Sequence, residues 1–109
     1  MSRTLRIVER ARSDVDDIFN WLVHRSVKGA ISWYMAFRHT LDNIALSPES
    51  FAVAAEAHVL GRPIRQAPFK SRRGRVYRIV FELSDTAITL LRVRGPGQSP
   101  LRRRDLSDQ

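Results

Sequence analysis

The chain has 109 residues, with 19 basic side chains, 11 acidic side chains and no cysteine. This length fits one domain with one core, and 43% hydrophobic with 28% charged residues is typical of a globular protein. The lack of cysteine excludes a disulfide scaffold, a thiol nucleophile and a cysteine-ligated zinc site. The three histidines have no metal-ligand spacing, so we expect no metal and no cofactor. No secretory leader and no membrane-spanning apolar stretch is visible, and we expect a cytoplasmic protein.

The positive charge is concentrated in the second half of the sequence. Residues 1–61 have seven basic and seven acidic side chains, whereas residues 62–104 have twelve basic and two acidic ones. Seventeen of the nineteen basic residues are arginine, whose planar guanidinium suits phosphate and carboxylate groups. This asymmetry favours a polyanion or an acidic protein as a partner over a role in solubility alone.

The first half predicts a strand followed by two helices. Residues 3–9 alternate as a strand does, and Ser13 is the expected N-cap of the first helix. The second helix is predicted over Val27 to Leu46, because a long apolar stripe there ends at Ser47-Pro48. The first helix also has an apolar stripe. The two stripes can pack against each other only if the helices form an antiparallel hairpin. Three aspartates, which complement the helix dipole, are expected in the first turn of the first helix: Asp14, Asp16 and Asp17.

The second half predicts a small sheet. Residues 49–61 form either a short helix or a turn, and residues 62–69 form an edge strand because they contain two prolines. A basic loop at 70–74 leads to a hairpin of strands 75–83 and 86–94.

The turn of this hairpin is predicted at Ser84-Asp85, which pairs Leu83 with Thr86. A one-residue slip would exchange the two faces of the sheet. In the predicted register one face is apolar and receives the helices, and three arginines continue it at its far end. It contains Tyr77, Ile79, Phe81, Leu83, Ile88 and Leu90, followed by Arg75, Arg92 and Arg94.

The opposite face of the hairpin is too apolar for solvent, and no second helix pair in the sequence covers it. We therefore expect it to remain open for a partner. Arg78 stands at its middle, opposite Leu91, and either binds a ligand or pairs with a carboxylate. The expected members of this face are Val76, Arg78, Val80, Glu82, Ala87, Thr89, Leu91 and Val93.

The order of these elements and several short motifs resemble the RelE/ParE superfamily of toxins from bacterial type II toxin–antitoxin systems. The resemblance covers residues 3–95. Its strongest segments are Tyr-Arg-Ile-Val-Phe at 77–81 and Leu-Leu-Arg-Val-Arg at 90–94. The first helix adds the pattern Ala11-x-x-Asp14-Val15-x-x-Ile18, and the second helix adds the Leu-Ser-Pro ending at 46–48.

The resemblance implies an α+β fold. An N-terminal strand and an antiparallel helix hairpin pack on one face of a small, mainly antiparallel four-stranded sheet. We expect one toxin domain at 1–96 and a basic tail at 97–109, which is either disordered or docked along the sheet. The resemblance also implies a cognate antitoxin with an acidic toxin-binding segment, and hence a toxin–antitoxin hetero-oligomer.

The family divides by target, and the sequence leaves this choice open. ParE-like members bind DNA gyrase, whereas RelE-like members cut mRNA on the ribosome. Arg78 matches the position whose arginine stabilises the phosphate in the nucleases, and Arg72, Arg73 and Arg75 would add positive charge. Many nucleases of the family continue Val-Arg with histidine, but this chain has Gly95, which leaves the acid–base role unfilled.

The sequence therefore favours a ParE-like binding toxin over a RelE-like endoribonuclease. A degenerate, non-toxic member that binds antitoxin or nucleic acid is the third alternative. Whether the chain is an enzyme stays undecided. The expected contacts to antitoxin or target are Arg78, Val80, Leu91, Val93, Arg92, Arg94, Arg102 and Arg103.

Overall fold

The computed structural model describes residues 3–106, which form three layers with a four-stranded sheet in the middle. The strands are β1 (Thr4–Ile7), β2 (Ile64–Phe69), β3 (Tyr77–Leu83) and β4 (Ala87–Arg94). The helices are α1 (Glu9–Val23), α2 (Val27–Leu46) and α3 (Ala55–Leu60), and two 3₁₀ turns occupy Pro48–Ser50 and Arg103–Leu106.

The strand order is β1-β4-β3-β2. The β1–β4 pair is parallel and the other two pairs are antiparallel, so the sheet is mixed but mainly antiparallel. β2 lies at one edge, where a proline such as Pro68 is tolerated. The predicted α+β architecture, with its N-terminal strand and helix hairpin, is confirmed.

The helix hairpin begins differently from the prediction at α1 and as predicted at α2. α1 starts at Glu9, directly after Val8, so Ser13 is inside the helix and not its cap. The predicted cap is wrong because β1 ends at Ile7 and the chain turns into the helix at once. At α2 the Ser26 Oγ accepts a hydrogen bond from the Gly29 N–H at 2.9 Å, which is a regular N-cap.

The core between the hairpin and the sheet is built around aromatic rings. The Trp33 ring lies 5.7 Å from Phe69 and 5.5 Å from Tyr77, measured between ring centroids. Phe37 stacks on Trp33 at 6.0 Å. Such tilted and edge-on contacts stabilise beyond the area they bury. Trp33 thus belongs to the core stripe of α2, as its position in the sequence predicts.

The β3–β4 turn lies one residue further along the chain than predicted. The Ser84 N–H donates to the Ala87 carbonyl at 3.0 Å, so the loop is Asp85-Thr86, and Leu83 pairs with Ile88 instead of Thr86. The Ser84 Oγ accepts from the Ala87 N–H at 3.0 Å and holds the turn. The partner of Leu83 moves by two positions, which preserves the predicted faces near the turn because side chains alternate with period two.

A β-bulge changes the faces at the far end of the hairpin. Phe81 pairs with Leu90 but Val80 pairs with Arg92, so Leu91 is an extra residue in β4. Beyond the bulge every β4 side chain is on the other face from the one predicted.

The bulge corrects the predicted positions of three β4 residues. Arg92 and Arg94 lie on the face of Arg78, and Arg94 rather than Leu91 is opposite Arg78. Val93 is opposite Ile79 and belongs to the helix face. Arg75, which precedes β3, is not part of the hairpin ladder.

The sheet face away from the hairpin is covered, so the expected open face is wrong. α3 and residues 97–106, which we call the C-terminal segment, form a third layer over it. Leu101 and Leu106 are buried there, and Val80 and Leu91 beneath them have no exposed surface. A short helix within 49–61 and a tail docked along the sheet were each one of two alternatives, but neither piece has the long apolar stripe that would predict a cover over this face. The last three residues of the predicted tail, 107–109, lie outside the described residues.

Candidate functional site: an arginine face and a basic cleft

Two groups of basic side chains lie on different sides of the sheet. We call the first the arginine face. It consists of Arg62, Arg78, Arg92 and Arg94, under or beside the C-terminal segment.

Arg78 is held by a carboxylate of α3. Its Nη1 and Nη2 donate to Glu56 Oε1 and Oε2 at 3.1 and 2.5 Å, and Nη1 also donates to Gln66 Oε1 at 3.0 Å. Glu56 is only 5% exposed and accepts a third bond, at 3.0 Å, from the Leu101 N–H. The hydrogen bonds from Arg78 lower the pKa of Glu56 from 4.5 to about 2 against the opposing effect of burial. Glu56 therefore joins Arg78 to the C-terminal segment as an ionised group.

Arg92 is held at the edge of β4 by Asp14 of α1. Its Nε and Nη2 donate to the two Asp14 oxygens at 2.7 and 3.0 Å, and the Val93 N–H donates to Asp14 at 2.9 Å. The hydrogen bond to Asp14 raises the pKa of Arg92. β1 ends before this point of β4, so Asp14 satisfies an edge N–H that no strand reaches. The predicted place of Asp14, Asp16 and Asp17 in the first turn is wrong, because α1 begins at Glu9 and only Glu9 is acidic in that turn. Asp14 instead binds Arg92 and the Val93 N–H.

The remaining two arginines of the face also contact the chain itself. Arg62 forms a two-bond pair with Glu82, both bonds at 2.9 Å, and donates to the Leu106 carbonyl at 3.3 Å. Arg94 donates to the Ser99 carbonyl at 2.8 Å. Burial is the larger cause that lowers the pKa of Arg94, and the positive charge of Arg92 is the next. These contacts fasten the C-terminal segment to the sheet, so the arginine face is largely occupied from within.

The second group surrounds an open cavity of about 1070 Å³ on the helix side of the molecule. The cavity lies between the tip of the helix hairpin, the β2–β3 loop and the turn after β4. We call it the basic cleft. Its basic side chains are Arg25, Lys28, Arg72, Arg73 and Arg75.

The five cations of the basic cleft have no counter-ion. All five are exposed, and none makes an ion pair or a side-chain hydrogen bond with the residues that the structure describes. No aspartate or glutamate is among the described residues that line the cavity. An array of this kind attracts anions, and the guanidinium groups can bind phosphate or carboxylate oxygens in pairs.

Aromatic rings form the mouth and the floor of the basic cleft. Trp21 is 54% exposed, as expected from its position off the α1 stripe, and the Arg25 guanidinium lies 4.1 Å from its ring centroid. Trp33 and Tyr77 lie deeper, and burial raises the pKa of the Tyr77 phenol. The Trp33 indole N–H is buried and has no hydrogen-bond partner among residues 3–106.

Gly95 is tightly packed at the rim of the cleft. A Cβ atom at this position would lie 3.1 Å from Cε2 of Tyr77. A histidine there would require the Tyr77 ring to move. The departure from the Val-Arg-His pattern thus has a packing reason, and the acid–base group expected of a nuclease is not replaced at this position.

The structure separates the predicted site residues into four groups. Arg78, Arg92 and Arg94 are on the arginine face, whereas Arg72, Arg73 and Arg75 are in the basic cleft. Val80 and Leu91 are buried beneath the third layer and Val93 is buried on the helix face, so none of the three can meet a partner while these layers stay in place. Arg102 and Arg103 are exposed on the C-terminal segment.

Sequence analysis missed Arg25 and Lys28 because they lie far in sequence from the basic loop. A signal was present, since both flank the junction of the two predicted helices, which must lie at one end of the sheet.

No protein-family model matches the chain, and no curated protein matches it significantly. Within residues 3–106, no cluster of three or more potential metal-ligating side chains occurs. None of the described helices combines the length and the apolar character that crossing a membrane requires.

Proposed function

We propose that this chain is the toxin of a type II toxin–antitoxin system and acts in the cytoplasm by binding DNA gyrase, as ParE-like proteins do. A cognate antitoxin with an acidic segment would neutralise it. The α+β fold, with its helix hairpin and the two motif-bearing strands β3 and β4, supports the resemblance on which this proposal rests.

The observation that carries the choice of binding over cleavage is the ion pair between Arg78 and Glu56. A ribonuclease needs a cation free to stabilise the phosphate in the transition state. Arg78 instead has its guanidinium engaged by Glu56 and Gln66, under a segment that Glu56 also holds. Arg72, Arg73 and Arg75 line the other cavity, away from Arg78.

The exposed arginines of the C-terminal segment supply the contact surface in this proposal. Arg102 and Arg103 project from a segment that the arginine face fixes in place. A positively charged surface on a fixed support suits recognition of an acidic protein surface, where charge raises the association rate and selects the partner.

The test is induction of the chain alone from a tightly repressed promoter, with DNA supercoiling and translation followed together. We expect gyrase inhibition while translation continues, and inhibition of purified gyrase by the purified chain. Arg102→Ala with Arg103→Ala should weaken that inhibition. Arg38→Ala, an exposed cation on α2, is the control. Unimpaired gyrase together with transcripts cut within codons would overturn the proposal.

One observation favours the RelE-like endoribonuclease as a second candidate. Arg72, Arg73 and Arg75 form no ion pair with any described residue, and they line the same cleft as Tyr77. In this case transcript ends should map within codons, and replacing the three arginines by alanine should abolish the cuts. Normal growth on induction would contradict both candidates and leave the non-toxic, degenerate member.

A further inference from the structure

We infer that the basic cleft binds a nucleoside phosphate, either as a free nucleotide or as a unit of a single-stranded nucleic acid. The cleft is on the helix side of the sheet, apart from the arginine face. The inference goes beyond gyrase binding, and it holds or fails independently of it.

The charges of the cleft point to a phosphate. Five cations around one cavity, without a carboxylate in its described lining, repel one another and thus oppose folding. The chain pairs Arg62, Arg78 and Arg92 with its own carboxylates, whereas the cleft cations have no carboxylate partner within residues 3–106. A phosphate would relieve the repulsion, and its oxygens match the guanidinium geometry.

The N-terminus of α2 adds to this field. Ser26, Lys28 and Gly29 line the cavity, so the first turn of a 20-residue helix borders it. The partial positive charge of a helix N-terminus favours an anion there.

The aromatic groups point to a base. Trp21 is half-exposed at the mouth of the cleft, with the Arg25 guanidinium against its ring. Bases stack on tryptophan rings and on arginine planes. At the floor, Trp33 and Tyr77 add two further aromatic rings to the lining of the cleft.

The size of the cleft selects a nucleotide over a bare anion. Small-molecule sites typically enclose ~300–1,000 Å³, and this cavity has about 1070 Å³. An inorganic phosphate would leave most of it empty. A nucleotide consists of a flat base and a phosphate. The base matches the Trp21 ring at the mouth of the cleft, and the phosphate matches the cations beside it.

The experiment uses the full chain and its own fluorescence, because the chain has two tryptophans and both line the cleft. The probes are ATP, a short oligo(dT), a short oligo(rU) and inorganic phosphate, each titrated at low salt. We expect the nucleotides or the oligonucleotides to quench the tryptophan emission at lower concentrations than phosphate does. Binding of ATP as tight as that of the oligonucleotides identifies a free nucleotide, and selective binding of the oligonucleotides identifies a strand.

Matched variants test the location of the site. Arg73→Gln with Arg75→Gln should weaken binding about tenfold and reduce its salt dependence. The control is Arg12→Gln with Arg38→Gln, which removes equal charge from exposed positions outside the cleft and should change the affinity less than about twofold. Trp21→Ala should weaken binding and Trp21→Phe should restore it, because phenylalanine keeps a stacking ring. Thermal unfolding of each variant confirms that it is folded.

Several results would overturn the inference. Binding of phosphate as tight as that of every nucleotide, with no effect of Trp21→Ala, would show an anion site without a base. Equal losses in the two arginine pairs would show attraction by net charge alone. Binding of a poly-glutamate peptide in preference to all nucleotides would show a protein-binding cleft. None of these assays contains gyrase, so their failure is distinct from failure of the proposed function.

Discussion

The arginine face and the basic cleft have the same side-chain chemistry and opposite surroundings. On the arginine face, Arg78 and Arg92 each bind a carboxylate through two bonds. In the basic cleft, Arg72, Arg73 and Arg75 bind no carboxylate of the described chain. Charge by itself therefore does not mark a functional surface in this molecule. Among the described residues, an internal counter-ion separates the arginines that hold the fold from those that are left available to an anion.

The carboxylates that bind Arg78 and Arg92 through two bonds come from the half of the sequence that has no net charge. Asp14 of α1 binds Arg92 of β4, and Glu56 of α3 binds Arg78 of β3. The charge asymmetry along the sequence is thus partly cancelled in the fold. The remaining positive charge lies in the cleft and on the C-terminal segment.

Replacing Glu56 by glutamine should produce the largest effect. It leaves the Arg78 guanidinium without its counter-ion in a mostly buried place, and breaking such a pair costs about 3 kcal/mol of unfolding free energy. Urea unfolding measures the loss. Adding Arg78→Met should recover part of it, since the double variant has no unpaired charge. A loss below about 1 kcal/mol would mean that the ion pair between Arg78 and Glu56 adds little to the stability of the fold.

Lowering the pH should remove the stability that the ion pair between Arg78 and Glu56 contributes. The pKa of Glu56 is lowered from 4.5 to about 2 in the folded chain, so the ion pair stabilises at pH values above the unfolded pKa. This stability, about 3 kcal/mol by linkage, is lost as the pH falls from about 5 to about 2. Unfolding of wild type and Glu56→Gln at a series of pH values should give a difference that shrinks over this window. A constant difference would contradict the assignment.

The C-terminal segment should behave as part of the folded core. Leu101 is buried on the sheet, so Leu101→Ala should cost about 2–3 kcal/mol. Its neighbour Arg102 is exposed, and Arg102→Ala should change the unfolding free energy by less than about 0.5 kcal/mol. Thermal unfolding of the two variants makes the comparison. Equal midpoints would show that the segment adds nothing to the cooperative unit.

A smaller loss is expected at the edge of β4. Asp14→Asn removes the charge that binds Arg92 and should cost about 2 kcal/mol. Asp17 on the same helix is exposed and serves as the matched control, with an expected change within about 0.5 kcal/mol. Denaturant unfolding at neutral pH measures both. Similar losses would mean that the contact with Arg92 adds no stability beyond that of any aspartate on this helix.

Much of the fold follows from local patterns, whereas the pairing of charges does not. The α2 bounds, the edge position of β2 and the apolar helix face of β3 follow from periodicity and proline positions. The bulge at Leu91 has no local signal, and it alone moves Arg92 and Arg94 onto the face of Arg78.

The candidate site was predictable only in part for the same reason. The sequence grouped Arg72, Arg73 and Arg75 with Arg78, and the structure brings the three together in one cleft but away from Arg78. The carboxylates that occupy Arg78 and Arg92 come from distant positions, and pattern analysis of a single sequence does not locate them.

The basic cleft should show the smallest and opposite effect on stability. Arg73→Gln and Arg75→Gln remove charges that only repel their neighbours in the free protein, so each should leave the unfolding free energy unchanged or raise it by about 0.3 kcal/mol at low salt. The gain should vanish at high salt, because screening removes the repulsion. Arg92→Gln is the control from the arginine face and should lose more than about 1 kcal/mol at either salt concentration, since it breaks the bond pair to Asp14. Destabilisation by the cleft variants comparable to that of Arg92→Gln would mean that the cleft arginines also hold the fold, and the distinction between paired and free cations would then no longer separate structure from function.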